Sequence, residues 1–258
     1  MMRDWNITIE LFDKKEQNEK ALLVIKDVLD EFCHLIPSGP VLDISKIIIV
    51  NDFEAGPTLF WPKKDDFYTV ALNVADVNYK QIAFQFSQEL CRIYSYPRIT
   101  NWLIYLLTHV AALYSLEFLG YKWKEKGNND ELKDYWKEFE AYKNNILASA
   151  FTEVDMVKYQ MDTNWLKNQV TKLQNDSKIS SAKILIMANE LLPLFKDSPK
   201  LWNLLPLIGK SASPPPPEDN KSMVAVRITK PDFELMKRNV GKTEQDLLNI
   251  LLKKMGIV

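Results

Sequence analysis

Five consecutive residues, Gln88-Glu89-Leu90-Cys91-Arg92, and one histidine further on, His109, are where side-chain types and spacing could combine into chemistry. Glu89 is a candidate general base, and His109 its candidate acid/base partner. Cys91 could act as a nucleophile only with a base beside it, and His109 is the available one. Thiols on such a helix more commonly fill the core. Arg92 follows Glu89 by three residues, so in a helix its guanidinium reaches the carboxylate. The blander alternative is that Gln88, Glu89 and Arg92 are rim residues of an ordinary amphipathic helix. Cys33-His34, the other thiol–imidazole neighbours, are adjacent in sequence. Adjacency does not converge two side chains on one substrate, so His34 reads as a capping or partly exposed residue.

The five-residue stretch resembles the zinc motif of metallopeptidases, in which two histidines one helical turn apart bind the ion and the Glu beside the first activates water. Gln88 stands at the first histidine, Glu89 at the general base and Arg92 at the second histidine. His109-Val110-Ala111-Ala112-Leu113-Tyr114 resembles the segment that supplies a third ligand, a Glu, in the gluzincin branch; His109 replaces that Glu. The likeness spans roughly residues 5–120 and implies a zincin-like fold with a dismantled metal site. An amide oxygen is a poor zinc ligand, and an arginine brings a permanent positive charge to the place of the ion. The implied protein is therefore a pseudo-peptidase without metal or cofactor. It would act by binding a protein or peptide partner in the inherited cleft, with Arg92 neutralising Glu89. Two alternatives stay open: a hydrolase working through Glu89 and His109, and a structural or regulatory helical protein.

The elements that would position these residues follow from hydrophobic periodicity. Residues 7–11 alternate as a half-buried strand, and 17–35 place Ala21, Val24, Ile25, Val28, Leu29 and Phe32 at helical spacing. Residues 47–50 form a β-branched run. Residues 57–61 and 67–72 flank the charged Lys63–Asp66 turn as a hairpin, the edge that an extended peptide would join. From Tyr79 the period becomes helical, with Ile82, Ala83, Phe86, Leu90 and Ile93 on one side and a stop before Pro97. A second, very apolar helix runs over 101–119 with Gly120 after it. Further helices are expected over 130–150, 164–174 and 181–195, and Lys122, Lys124 and Lys126 look like a solvated turn. Tyr135, Trp136, Phe139 and Tyr142 read as a core face. Beyond the four prolines at 214–217, a strand over 223–228 and a helix over 243–254 should pack back on the body.

The expected class is α+β, a small mixed sheet with an edge hairpin on the site helix, followed by a largely helical half. The divisions are 1–120 for the sheet-bearing subdomain, 121–210 for a helical subdomain, 211–221 for a proline-rich linker and 222–258 for the tail. A net charge of −1, with 33 basic and 34 acidic residues, offers no concentrated basic face for nucleic acid or anionic membrane. Seven glycines and no glycine-rich phosphate loop disfavour standard nucleotide binding. The N-terminus turns polar at once, and residues 102–119 carry Thr108, His109 and Glu117, which favours a buried helix over a membrane span. Two cysteines make no disulfide framework, and the cytoplasm is the expected compartment.

Overall fold

The computed structural model describes residues 5–42, 46–60, 67–126, 132, 134–176, 178–215 and 226–258. It is α+β, with a four-stranded mixed sheet in the N-terminal part and a largely helical remainder. Strand β1 (Asn6–Glu10) leads into helix α1 (Lys15–Leu35), followed by β2 (Lys46–Asn51), β3 (Thr58–Phe60) and β4 (Tyr68–Leu72). The sheet order is β1-β2-β4-β3. The first three are parallel, in the registers Ile7↔Ile47 and Ile49↔Val70, and β3 runs antiparallel along the outer edge with Leu59↔Val70. The expected hairpin is therefore present, its turn lying outside the described residues. Ile47, Ile49, Tyr68 and Val70 are fully buried on one face of the sheet, as alternation demands.

Helix α2 (Tyr79–Ser95) follows β4 and is fixed to the strand's end by amides. The Asn78 side chain accepts the Gln81 N–H at 3.2 Å and caps the helix. Gln85 accepts the Asn73 N–H at 2.8 Å and donates to the Asn73 carbonyl at 3.0 Å, while Gln81 donates to the same carbonyl at 2.9 Å. Ile82, Ala83, Phe86, Leu90 and Ile93 are all fully buried, the face anticipated from their spacing. After the short β5 (Ile99–Thr100), α3 (Trp102–Lys126) packs along α2 and is enclosed by α1, α4 (Trp136–Thr152) and α7 (Ser181–Asp197). Residues 102–125 are long and apolar enough to cross a membrane, yet 78% of their most apolar window is buried inside the fold.

Several expected boundaries move. Gly120 does not end α3, because α4 lies beside it and a Cβ there would still sit 3.7 Å from the Trp136 carbonyl oxygen. Lys122 and Lys124 are thus helical, not in a turn: Lys122 pairs with Asp27 at 2.8 Å and Lys124 lies over the Trp136 ring. Helix α4 starts at Trp136 rather than near 130, with Phe139 buried and Tyr135 edge-on to it, so the aromatic face is core. A one-and-a-half-turn helix α5 (Met156–Met161), unpredicted, precedes α6 (Trp165–Gln174).

The chain then forms a 3-10 turn (Pro199–Leu204) and α8 (Leu205–Lys210), whose Gly209 meets the C-terminal end of α2. Within the expected linker, β6 (Ala212–Ser213) pairs with β8 (Lys230–Pro231), and β7 (Arg227–Ile228) pairs with β5. Residues 216–225, including part of the proline run and of the expected strand, lie outside the described residues. Helices α9 (Phe233–Asn239) and α10 (Lys242–Met255) complete the chain. Leu248, Leu251, Leu252 and Met255 bury one face of α10 against α6 and the 3-10 turn.

Candidate functional site

Gln88, Glu89 and Arg92 occupy one turn of α2, His109 comes from the neighbouring α3, and β3 lies across them. Glu89 is buried, its side chain 1% exposed, and its Oε2 stands 3.4 Å from Nε of Arg92. Both atoms lack an aligned hydrogen bond, so this is a close approach rather than a fork. The backbone N–H of Leu59 is directed at the same carboxyl group.

Burial, the largest influence, pushes the Glu89 carboxyl above its ordinary value; Arg92 and the Leu59 N–H pull the other way and do not overcome it. His109 is buried and shifted down, first by loss of solvation and further by the Arg92 charge, against the opposing pull of the Tyr105 carbonyl. The two shifts favour a neutral carboxyl and a neutral imidazole around one fixed guanidinium.

Hydrogen bonding decides the His109 tautomer. Nδ1 lies 2.9 Å from the carbonyl oxygen of Tyr105, an acceptor only, so Nδ1 carries the proton. Thr108 Oγ1 gives its own hydrogen to that carbonyl at 2.8 Å and can accept from Nδ1 at 3.4 Å. Nε2 is left with a lone pair. The rings of Tyr105 and Phe84 stand edge-on at 4.7 and 6.4 Å, and Tyr142 supports Phe84 at 5.9 Å, so the imidazole is held by an aromatic collar.

Arg92 thus links the expected residues: it touches Glu89 and acts electrostatically on both His109 and Cys91. Gln88 is half-buried on the same turn. No hydrogen bond joins Glu89 to His109, and the Glu89 carboxyl is buried beside Arg92. Cys91 is fully buried in the core with its thiol pushed up by desolvation, which removes it as a nucleophile. Cys33 lies 3.5 Å from the Tyr94 hydroxyl and His34 is exposed at the end of α1, so those two do not converge.

The donor set does not suit zinc. Among the described residues no three of His, Cys, Asp and Glu gather as a metal site, and a guanidinium occupies the turn where a second imidazole would be needed. Sequence reasoning missed the N–H of Leu59 and the collar of Phe84 and Tyr105. Tyr105 precedes His109 by one helical turn and was open to discovery by spacing; Leu59 is thirty residues from Glu89 and carries no local signal. The chain matches no protein-family model, and neither the curated proteins nor the solved structures give a match.

Proposed function

We propose that this chain is a catalytically inactive, metallopeptidase-like protein that acts by binding a protein or peptide partner. The observation that carries the reading is Glu89. Matched to the general-base position, it is 1% exposed and faced by Arg92 at 3.4 Å. Support also comes from the surrounding frame: parallel strands, an antiparallel edge strand over the site helix, and a following helix that presents His109. A zinc peptidase needs the same frame with different side chains. Loss of the ligands would remove hydrolysis and leave β3, the edge strand onto which an extended chain would add. The reading places the protein in the cytoplasm, in keeping with free thiols at Cys33 and Cys91.

Restoring the ligands tests the frame. The triple variant Gln88→His, Arg92→His, His109→Glu should bind zinc stoichiometrically, while the wild-type chain purified without chelator should contain none. A folded triple variant without zinc would overturn the metallopeptidase-like frame. Stoichiometric zinc in the wild type, lost on changing Gln88 or His109, would overturn the inactive reading.

A further inference from the structure

We infer that the cleft between α5, α6 and the start of α7 binds a small hydroxylated anion, a sugar phosphate or a polyhydroxy carboxylate. It shares no lining residue with the α2–α3 site and is independent of the reading above.

The cleft has a volume of about 630 Å³, within the range of small-molecule sites. Gln169 lines it while only 5% exposed. Its Oε1 is buried and receives no hydrogen bond, and the amide as a whole has no partner among the described residues. A primary amide needs both donors and acceptors, and leaving it unbonded under burial is costly. A ligand hydroxyl, which donates and accepts through one oxygen, answers both needs. Trp165, 7% exposed and held edge-on by the Tyr159 ring at 5.1 Å, gives the same cleft an apolar wall for the carbon frame.

Charge selects an anion. Both carboxylates that line the cleft are already spent within the chain. Asp155 accepts the Lys158 N–H at 3.1 Å, and its other oxygen lies 3.6 Å from the Lys158 ammonium. Asp162 accepts the Asn164 N–H at 2.9 Å and the Asn168 amide at 2.8 Å. Lys172 of α6 and Lys183 of α7 border the same cleft and form no ion pair among the described residues. Lys183 also stands in the first turn of α7, where the positive end of the helix adds to its charge. A phosphate or carboxylate in the cleft draws on both ammonium groups. A cationic ligand meets the same two charges as repulsion, and a purely apolar one leaves Gln169 unbonded.

Isothermal titration of the full-length protein with glucose 6-phosphate, ribose 5-phosphate, glycerol 3-phosphate and gluconate tests the site. Inorganic phosphate and glucose, titrated alone, supply the two halves of the ligand separately. At least one hydroxylated anion should bind about tenfold or more tightly than either half, and the phosphate and carboxylate arms identify the source of the charge. The double variant Lys172→Gln, Lys183→Gln should weaken that binding about tenfold or more with an unchanged melting curve. Gln169→Leu should weaken it about tenfold as well, and without ligand should melt no lower than wild type. Inorganic phosphate or glucose binding as tightly as the hydroxylated anions, binding left intact in these variants, or no binding across the panel would overturn the site. A marked fall in the melting temperature of unliganded Gln169→Leu would overturn it too, since the amide would then be satisfied within the fold.

Discussion

Replacing Glu89 by Gln should stabilise the protein at neutral pH and leave it unchanged in acid. The Glu89 carboxyl is 1% exposed, and its attraction to Arg92 acts over 3.4 Å. At an effective dielectric of about 20 that attraction is on the order of 5 kcal/mol before solvation is counted. Desolvation nevertheless exceeds it, because the carboxyl is shifted above its ordinary 4.5. A carboxyl with a raised folded-state pKa favours the fold in its protonated form. Wild-type stability is therefore whole below about pH 4.5 and declines as the pH rises toward the folded-state value. The decline is at most about 1.4 kcal/mol per pH unit, so the loss accumulated up to neutral pH is bounded at a few kcal/mol. Gln fills the same volume and never ionises. At roughly 2–4 °C per kcal/mol, a gain of about 1–3 kcal/mol raises Tm at pH 7 by roughly 2–12 °C. Thermal melts of both proteins from pH 4 to 8 measure it. Equal Tm values at pH 7, or a gap that widens toward acid, would refute the account of Glu89 as a carboxyl held against its ionised form.

Protonation of His109 works in the opposite window. Its folded-state value lies below the ordinary 6.5, so stability is whole above 6.5 and falls as the pH drops through it. His109→Gln should therefore gain up to about 2 kcal/mol on wild type between pH 7.5 and 5, read as a Tm difference that grows toward acid; a difference independent of pH would contradict the burial argument. Gly209→Ala tests how α8 holds the end of α2. Its Cβ would lie 1.8 Å from the Ser95 carbonyl oxygen and 2.3 Å from the carbonyl carbon, so the backbones must part by roughly 1.5 Å. The expected cost is about 1–3 kcal/mol, and an unchanged melting curve would show that α8 shifts freely.

Local patterning was enough for most of what surrounds the site. Alternation in residues 7–11 and β-branching in 47–50 marked β1 and β2, and the spacing of Ile82, Phe86, Leu90 and Ile93 marked the buried face of α2. Those signals survive because each element buries one face, and the period of that face is written in consecutive residues. The Glu89–Arg92 contact was legible for the same reason, being one helical turn. Elements without a face of their own were not legible. Helix α5 has no buried residue, and β5, β6 and β8 are two-residue strands that exist through partners far along the chain, such as Ile99 with Arg227; β7, by contrast, is the described part of the strand expected over 223–228. Gly120 looked like a stop because glycine weakens a helix in isolation, but packing between α3 and α4 outweighs about 1 kcal/mol of propensity.

Sequence alone thus determined which side chains could meet within one turn of α2, and the charge that Arg92 brings there. Tertiary structure decided what those side chains became. The burial that disfavours the Glu89 anion, the Leu59 N–H directed at it and the aromatic collar of His109 all come from elements distant in sequence. The tautomer of His109, by contrast, is set by a carbonyl one turn away on its own helix. Solvation and long-range contact are properties of the packed chain, and no spacing of residues encodes them.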